Sequence, residues 1–310
     1  MTYTLKLKLY EVQAEMFAAT HVVVKNVVNL YEQPNSSSPL DTQALMGESV
    51  QVDKKEDGFF HVITGGDLYG GWMDSKWVVN VKEIPRLQTG IVKRLFAEVF
   101  LKPDRSSELI TKLVMGTRVL LAESQDSSIY VKLMLPNAQS GYVQRSSIQT
   151  KPLSLPAAGN TEKTLSAASA RAVQIAKQLI GTPYLWGGTT PFGIDCSGLV
   201  QLSYKMCGVN LRRNSYMQMS DRRFSEIEAG KALNEGEFLP GDVLGFDMSG
   251  VGPKGKINHV ALALGDGRFI HASGWQRRGA VFIESCKDPT FVELYTSAIR
   301  LASDATIESA

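Results

Sequence analysis

Three residues of this 310-residue chain have the types and spacing to do covalent chemistry together. Cys196 stands in YLWGGTTPFGIDCSGLV, residues 184–200, after a run of glycines and at the head of an apolar stretch. His259 and His271, two of only four histidines, flank Gly265-Asp266-Gly267. A free thiol has a pKa of about 8.5 and the thiolate is the nucleophile, so a catalytic cysteine needs something that stabilises the anion. The positive end of a helix starting at or near Cys196 and an imidazolium from His259 could both do so. His271, bonded to the far nitrogen of His259, would then orient the base.

That arrangement has a structural condition. If Gly265–Gly267 form a three-residue loop, Leu264 faces Arg268 and Ala261 faces His271, so His259 and His271 become diagonal neighbours on one face. A two-residue loop would send them to opposite faces. Two blander readings stay open: a structural histidine pair, or a metal site with Cys196, which lacks a clear fourth ligand. Cys207 and Cys286 read as core residues. Gly187-Gly188 are followed by no GK[ST], so a phosphate loop is discounted. Asp195 beside Cys196 should raise the thiol pKa, so it needs another job: capping the helix, or receiving a cationic part of a substrate.

The elements that must position these groups are legible in outline. SAASARAVQIAKQLIG puts Ala172, Val173, Ala176, Leu179 and Ile180 on one helical face and ends at Gly181-Thr182-Pro183. Cys196, Leu199, Val200, Ser203 and Met206 are spaced for a second helix, and beyond Pro240 the pattern turns to strands. The third domain is therefore read as mixed α+β, over residues 165–303. Ahead of it the chain repeats weakly at an offset of 69, which brings Pro34, Leu40, Thr42, Met46, Gly47, Val50 and Val62 onto Pro103, Leu109, Thr111, Met115, Gly116, Val119 and Val131. Short alternating runs with polar tips describe two small all-β barrels, 20–84 and 88–150. Residues 1–19 form an extension of uncertain structure, 151–164 a linker and 304–310 a tail.

With 44% hydrophobic and 21% charged residues, the composition favours neither disorder nor a membrane class. The net charge of +2, without dense blocks of like charge, gives no reason to expect nucleic acid or an anionic membrane as partner. Three cysteines without a CxxC pair argue against a disulfide scaffold and a zinc ribbon, and fit a reducing compartment. The first residues lack the form of a secretory signal and no apolar run is long enough for a spanning helix, so a cytoplasmic location is expected unless a signal has been trimmed.

PYLWGG followed by DCSGLV, then GD before a strand, HVAL and FIHASG, resembles the NlpC family of bacterial cell-wall cysteine peptidases over about 165–303. The resemblance implies a papain-like α+β catalytic domain. The two SH3-like barrels ahead of it resemble the subgroup of γ-D-glutamyl-L-diamino acid endopeptidases, whose N-terminal barrel narrows the cleft and selects a free N-terminal L-alanine. Residue by residue, the resemblance makes Cys196 the nucleophile, His259 the base and His271 its partner. It puts Tyr184 and Trp186 at the cleft, with Tyr184 beside the oxyanion, and Asp195 and Ser197 near the bound peptide. YGGW nominates Tyr69, LDTQALMGE nominates Asp41, and Glu48 is a weaker choice. The second copy of the repeat has Ile110 where the first has Asp41 and an unrelated NAQS near the place of Tyr69, which suggests a task confined to the first barrel. Where the family tends to show RD before Ser or Ala, this chain has Arg213-Asn214-Ser215, so one carboxylate of the amine pocket is replaced while Ser215 is retained.

The function expected is hydrolysis of the γ-D-glutamyl to diamino acid bond of muropeptides with a free L-Ala, in murein peptide recycling, without metal or cofactor. The alternative is an exported hydrolase acting on intact wall with its barrels as anchors.

Overall fold

The computed structural model describes residues 21–80, 88–122, 129–150, 162–227, 232–249, 256–274 and 278–302. The extension at 1–19, the tail at 304–310 and most of the linker expectation lie outside the described residues.

The first seven strands are β1 (His21–Val23), β2 (Val27–Tyr31), β3 (Leu40–Leu45), β4 (Ser49–Glu56), β5 (Phe59–Thr64), β6 (Gly70–Asp74) and β7 (Val78–Asn80). They form one sheet in the order β3-β2-β6-β5-β4-β1-β7. Alternation decides which side chains go inward: Val28 and Leu30 of β2 join Val50, Val62 and Met73 in a closed apolar cluster. The next seven are β8 (Gln88–Val92), β9 (Phe96–Phe100), β10 (Leu109–Val114), β11 (Arg118–Leu121), β12 (Tyr130–Met134), β13 (Ser140–Gln144) and β14 (Ile148–Gln149), ordered β10-β9-β13-β12-β11-β8-β14. Strand for strand this is the order of the first sheet, so the weak sequence repeat is a repeat of topology. Gly47 and Gly116, the matched glycines, carry φ of 81° and 86°, a left-handed turn that any other residue would enter with strain.

The remainder packs helices on an antiparallel sheet. Helix α1 (Glu162–Gln178) buries Ala172, Val173 and Ala176 as its period requires. It starts inside the stretch read as linker and stops before Ile180, which is 50% exposed rather than on the buried face. The chain there tightens to i→i+3 bonds, Leu179 N–H to Ala176 and Ile180 N–H to Lys177, and leaves the helix at Gly181 with φ 84°. A two-stranded ribbon, β15 (Thr189–Thr190) with β16 (Gly193–Ile194), leads into α2 (Cys196–Lys205). Then come α3 (Ser215–Met219), β17 (Phe224–Glu226), β18 (Val243–Phe246), β19 (His259–Ala263), β20 (Arg268–Ser273), β21 (Ala280–Ser285), α4 (Pro289–Leu294) and β22 (Tyr295–Leu301). The six strands run β17-β22-β18-β19-β20-β21.

Strands β18 and β19 are buried throughout, because both faces of the sheet are covered. Val243, Val260 and Leu262 pack with Leu199 and Val200 of α2 and with α1, whereas Phe246, Ala261 and Phe269 pack with Phe291 of α4 on the other face. Full burial of each Leu or Val contributes about 1.5–3 kcal/mol.

Three bodies are joined through specific contacts. Gln43 Oε1 of the first barrel accepts the backbone N–H of Thr189 at 3.0 Å, Lys205 pairs with Glu48 at 3.0 Å, and Gln201 donates to Asp67 at 2.9 Å. The second barrel sends Met115 into the core shared by α1 and α2, and a Cβ on Gly116 would stand 2.9 Å from Leu202 Cδ1.

Candidate active site

Cys196 is the first residue of α2, and Asp195 is its N-cap, accepting the Gly198 N–H at 2.7 Å. The loop before it folds back on the helix start: the Gly187 N–H donates to Asp195 Oδ2 at 2.9 Å and the Asp195 N–H to the Gly188 carbonyl at 3.0 Å. This fold-back explains the glycines. Gly187 has φ 75° and lies against the first barrel, where a Cβ would come within 2.6 Å of the Leu40 carbonyl oxygen, and a Cβ on Gly198 would collide with the Gly188 carbonyl.

The hairpin register meets its condition. Leu262 pairs with Ile270 and Ala263 with Phe269, and the Leu264 N–H donates to the Arg268 carbonyl at 2.8 Å across a loop with left-handed Gly265 and Gly267. His259 and His271 therefore share the Phe246–Phe269 face, and His259 Nε2 lies 2.8 Å from His271 Nδ1. Cys196 is brought to the start of β19, where the backbone N–H groups of Val260 and Ser197 donate to its sulfur. Thiol and imidazole thus belong to the first residues of two adjacent elements.

The electrostatics differ from the ion pair expected from sequence. Burial pushes the Cys196 thiol up to about 12, and the neighbouring Asp195 carboxylate adds to this, against the opposing pull of the two N–H groups and Arg213. Burial lowers His259 to about 4, with Asp195 opposing, and holds His271 well below its ordinary value, where His259 and Arg278 push the same way. With the three side chains 8%, 7% and 0% exposed, little water reaches either group, and burial favours the neutral thiol and the neutral imidazole.

Sequence reasoning missed Arg213. Its guanidinium, 1% exposed, spans Asp195 with Nη1 to Oδ1 at 3.0 Å and Nη2 to Oδ2, donates to Ser197 Oγ at 2.7 Å, and reaches Thr42 of the first barrel through Nε at 2.9 Å. The signal available was Asp195 itself, since a buried carboxylate beside a cysteine demands a buried cation. Asp195 already accepts five donors, counting the Ser197 hydroxyl, so it is the helix cap and Arg213's counter-ion, with no lone pair left for a substrate ammonium. Ser197 is committed to the same network.

Asp41 and Tyr69, nominated separately from the sequence, are in contact: the Tyr69 hydroxyl donates to Asp41 Oδ1 at 2.8 Å and accepts from Asn214 Nδ2 at 3.3 Å. Burial, reinforced by Asp41, pushes the Tyr69 phenol up to about 12, so it stays protonated. Ser215, buried, opens α3 directly after Asn214. Tyr184 is partly buried and its phenol is raised by burial and by the nearness of Cys196 and Asp195, while Trp186 stands at the rim, 66% exposed. Glu48 is a correction. It accepts the Leu45 N–H at 2.9 Å and pairs with Lys205 of α2, which makes it a strut between bodies and commits its carboxylate away from a substrate ammonium.

A cysteine at a helix start, with a histidine pair on the antiparallel sheet behind it, defines a papain-like cysteine peptidase. Residues 181–300 match the NlpC/P60 family, and residues 30–77 match the bacterial dipeptidyl-peptidase SH3 domain. The chain is a cysteine peptidase whose catalytic portion is an NlpC/P60 domain, preceded by an N-terminal SH3-like region. It is 27% identical over 281 residues to a gamma-D-glutamyl-L-lysine dipeptidyl-peptidase of Bacillus cereus, spanning 86% of this chain and 76% of that one. It is 27% identical over 267 residues to dipeptidyl-peptidase 6 of Lysinibacillus sphaericus, spanning 81% and 87%. The crystal structure of an NlpC/P60 family protein from Bacillus cereus superposes with a TM-score of 0.75 at 23% identity, covering 91% of this chain and 99% of that one, and shares the fold. No helix among the described residues is long and apolar enough to cross a membrane.

Proposed function

We propose that the protein hydrolyses the γ-D-glutamyl to diamino acid bond of peptidoglycan-derived peptides that carry a free N-terminal L-Ala, as in murein peptide recycling. The observation that carries this reading is the Asp41–Tyr69–Asn214 cluster, in which an acid and a phenol of the first barrel meet the catalytic domain beside the Cys196 network. The Bacillus cereus relative, named a gamma-D-glutamyl-L-lysine dipeptidyl-peptidase, supports a diamino acid after the γ-D-glutamyl group.

Asp41, held by Tyr69, takes the substrate ammonium. The γ-carbonyl then lies at the start of α2, where the Cys196 N–H and the Tyr184 hydroxyl stabilise the oxyanion, each such donor contributing roughly 3 kcal/mol. Because thiol and imidazole are both neutral at rest, His259 takes the thiol proton as sulfur attacks, and then passes it to the departing amine. Water, activated by the same imidazole, clears the acyl-enzyme. An acylated amine would leave Asp41 unpaired, a cost of about 1–3 kcal/mol.

The test is to incubate the protein with L-Ala-γ-D-Glu-meso-diaminopimelate and its N-acetylated form and identify products by mass spectrometry. Release of L-Ala-D-Glu from the free peptide alone is expected. Equal cleavage of both would remove the amine selection, and full activity in Cys196→Ala would remove the mechanism.

A further inference from the structure

The far nitrogen of the histidine pair ends in an unusual environment. His271 Nε2 is buried and has no hydrogen-bond partner among the described residues. Aromatic rings enclose the imidazole instead. Phe282, its direct cross-strand partner on β21, has its ring centroid 4.4 Å away with the planes at 65°, and Phe269 and Phe291 stand at 5.2 Å.

Hydrogen-bond logic then fixes where the protons sit. His259 Nε2 and His271 Nδ1 are 2.8 Å apart, so one donates and the other accepts. If His271 donated from Nδ1, His259 would accept on Nε2 and, being neutral, carry its proton on Nδ1, which could then accept nothing from a thiol. If His259 donates from Nε2, its Nδ1 is free to act as the base, and His271 must carry its own proton on Nε2, among the phenylalanines. An N–H against the electron-rich face of an aromatic ring is favourable, and a bare lone pair there is not. A second proton on His271 is disfavoured by the charged groups that face it, His259 once protonated and Arg278, whose guanidinium lies 4.6 Å from the Phe282 centroid and pairs with Glu284 at 2.8 Å.

We propose that Phe282 is a positioning residue of the catalytic pair: its ring receives the Nε2–H of His271, holds His271 in that tautomer, and so keeps Nδ1 of His259 unprotonated as the base. This rests on the cysteine–histidine reading above and adds to it a tautomer selector without any polar group of its own.

The experiment is long-range 1H–15N correlation of the imidazoles in the full-length protein at pH 7. His21 and His61, the two other histidines, are assigned by His21→Gln and His61→Gln. The expected spectrum shows His271 as the Nε2–H tautomer. Phe282→Leu, which keeps apolar bulk and removes the ring, is expected to mix the tautomers and lower kcat on the free peptide about 3- to 10-fold at unchanged KM. Phe282→Tyr is expected to retain both properties. A wild-type His271 protonated on Nδ1 would overturn the proposal, as would Phe282→Leu with unchanged tautomer or unchanged kcat. Should Phe282→Leu fail to fold, Phe282→Met, which also lacks a ring, is read for the same two outcomes. The wild-type spectrum needs no substrate, so an inactive peptide would count against the proposed function and leave this inference standing.

Discussion

Arg213 and Asp195 form a two-pronged ion pair within the protein interior, and the acid of that pair caps the helix that presents Cys196. Removing one partner of a buried pair strands the other. Arg213→Gln is therefore expected to lower unfolding stability by about 3–5 kcal/mol in urea titrations. Lysine, a point charge without the planar fork, should not restore it. A loss below about 1 kcal/mol would mean that Asp195 finds enough donors without Arg213.

Thiol neutrality makes a separate prediction. Since burial and Asp195 raise the Cys196 thiol to about 12, iodoacetamide should label it at pH 7.5 more slowly than a free cysteine, with a rate that climbs only into the alkaline range. Labelling followed by intact-mass spectrometry reads this directly. A fast rate, flat from pH 5 to 8, would instead reveal a resting ion pair.

Stability should fall on acidification. His259 is depressed from 6.5 to about 4, so below pH 6.5 the unfolded chain binds a proton that the folded chain refuses. By linkage that withdraws about 2 kcal/mol by pH 5 and about 3 by pH 4, and His271, lowered in the same direction, adds to it. Urea midpoints at pH 7.5 and 5.0 measure the loss, and His259→Gln should reduce it. An equal slope in that variant would assign the loss to other groups.

Gly187→Ala combines a left-handed φ with a Cβ driven at the Leu40 carbonyl. The backbone strain alone is about 1–2 kcal/mol. The greater effect should be on the seam between the first barrel and the catalytic loop, seen as faster limited proteolysis between the two bodies. Unchanged cleavage would show that the seam yields without cost.

Asp41→Asn should leave Cys196 labelling unaltered while lowering kcat/KM on the free-amine peptide about 10- to 100-fold, which narrows the gap to the acetylated peptide. If the gap persists, another group reads the amine.

Much of this was visible in the chain because it follows from short-range rules. The Gly-Asp-Gly loop fixed the hairpin register and hence the shared face of His259 and His271, and the apolar spacing from Cys196 to Met206 located α2. The repeat of seven residues at one offset foretold two sheets of identical strand order. What escaped was long-range. Nothing local distinguishes Arg213 from the adjacent Arg212, because its partner Asp195 is reached only when the chain folds back on the start of α2, or tells that Glu48 will meet Lys205, which belongs to another body. Ile180 was misplaced because helical periodicity does not report the tightening that ends a helix. The direction in which burial moves the thiol and the imidazole escaped for a similar reason: the pattern names the ionisable groups and is silent on how completely water is shut out.

Leu202 and Met115 carry a practical lesson. A residue of the second barrel is inserted into the same interior that supports the nucleophile's helix, and the glycine beside it is what allows the two to nestle. The peptidase portion is accordingly no detachable cassette: cut free, it would present an oily scar under its own reactive centre. Shortened versions made for engineering should keep that module, or repaint the scar with polar side chains.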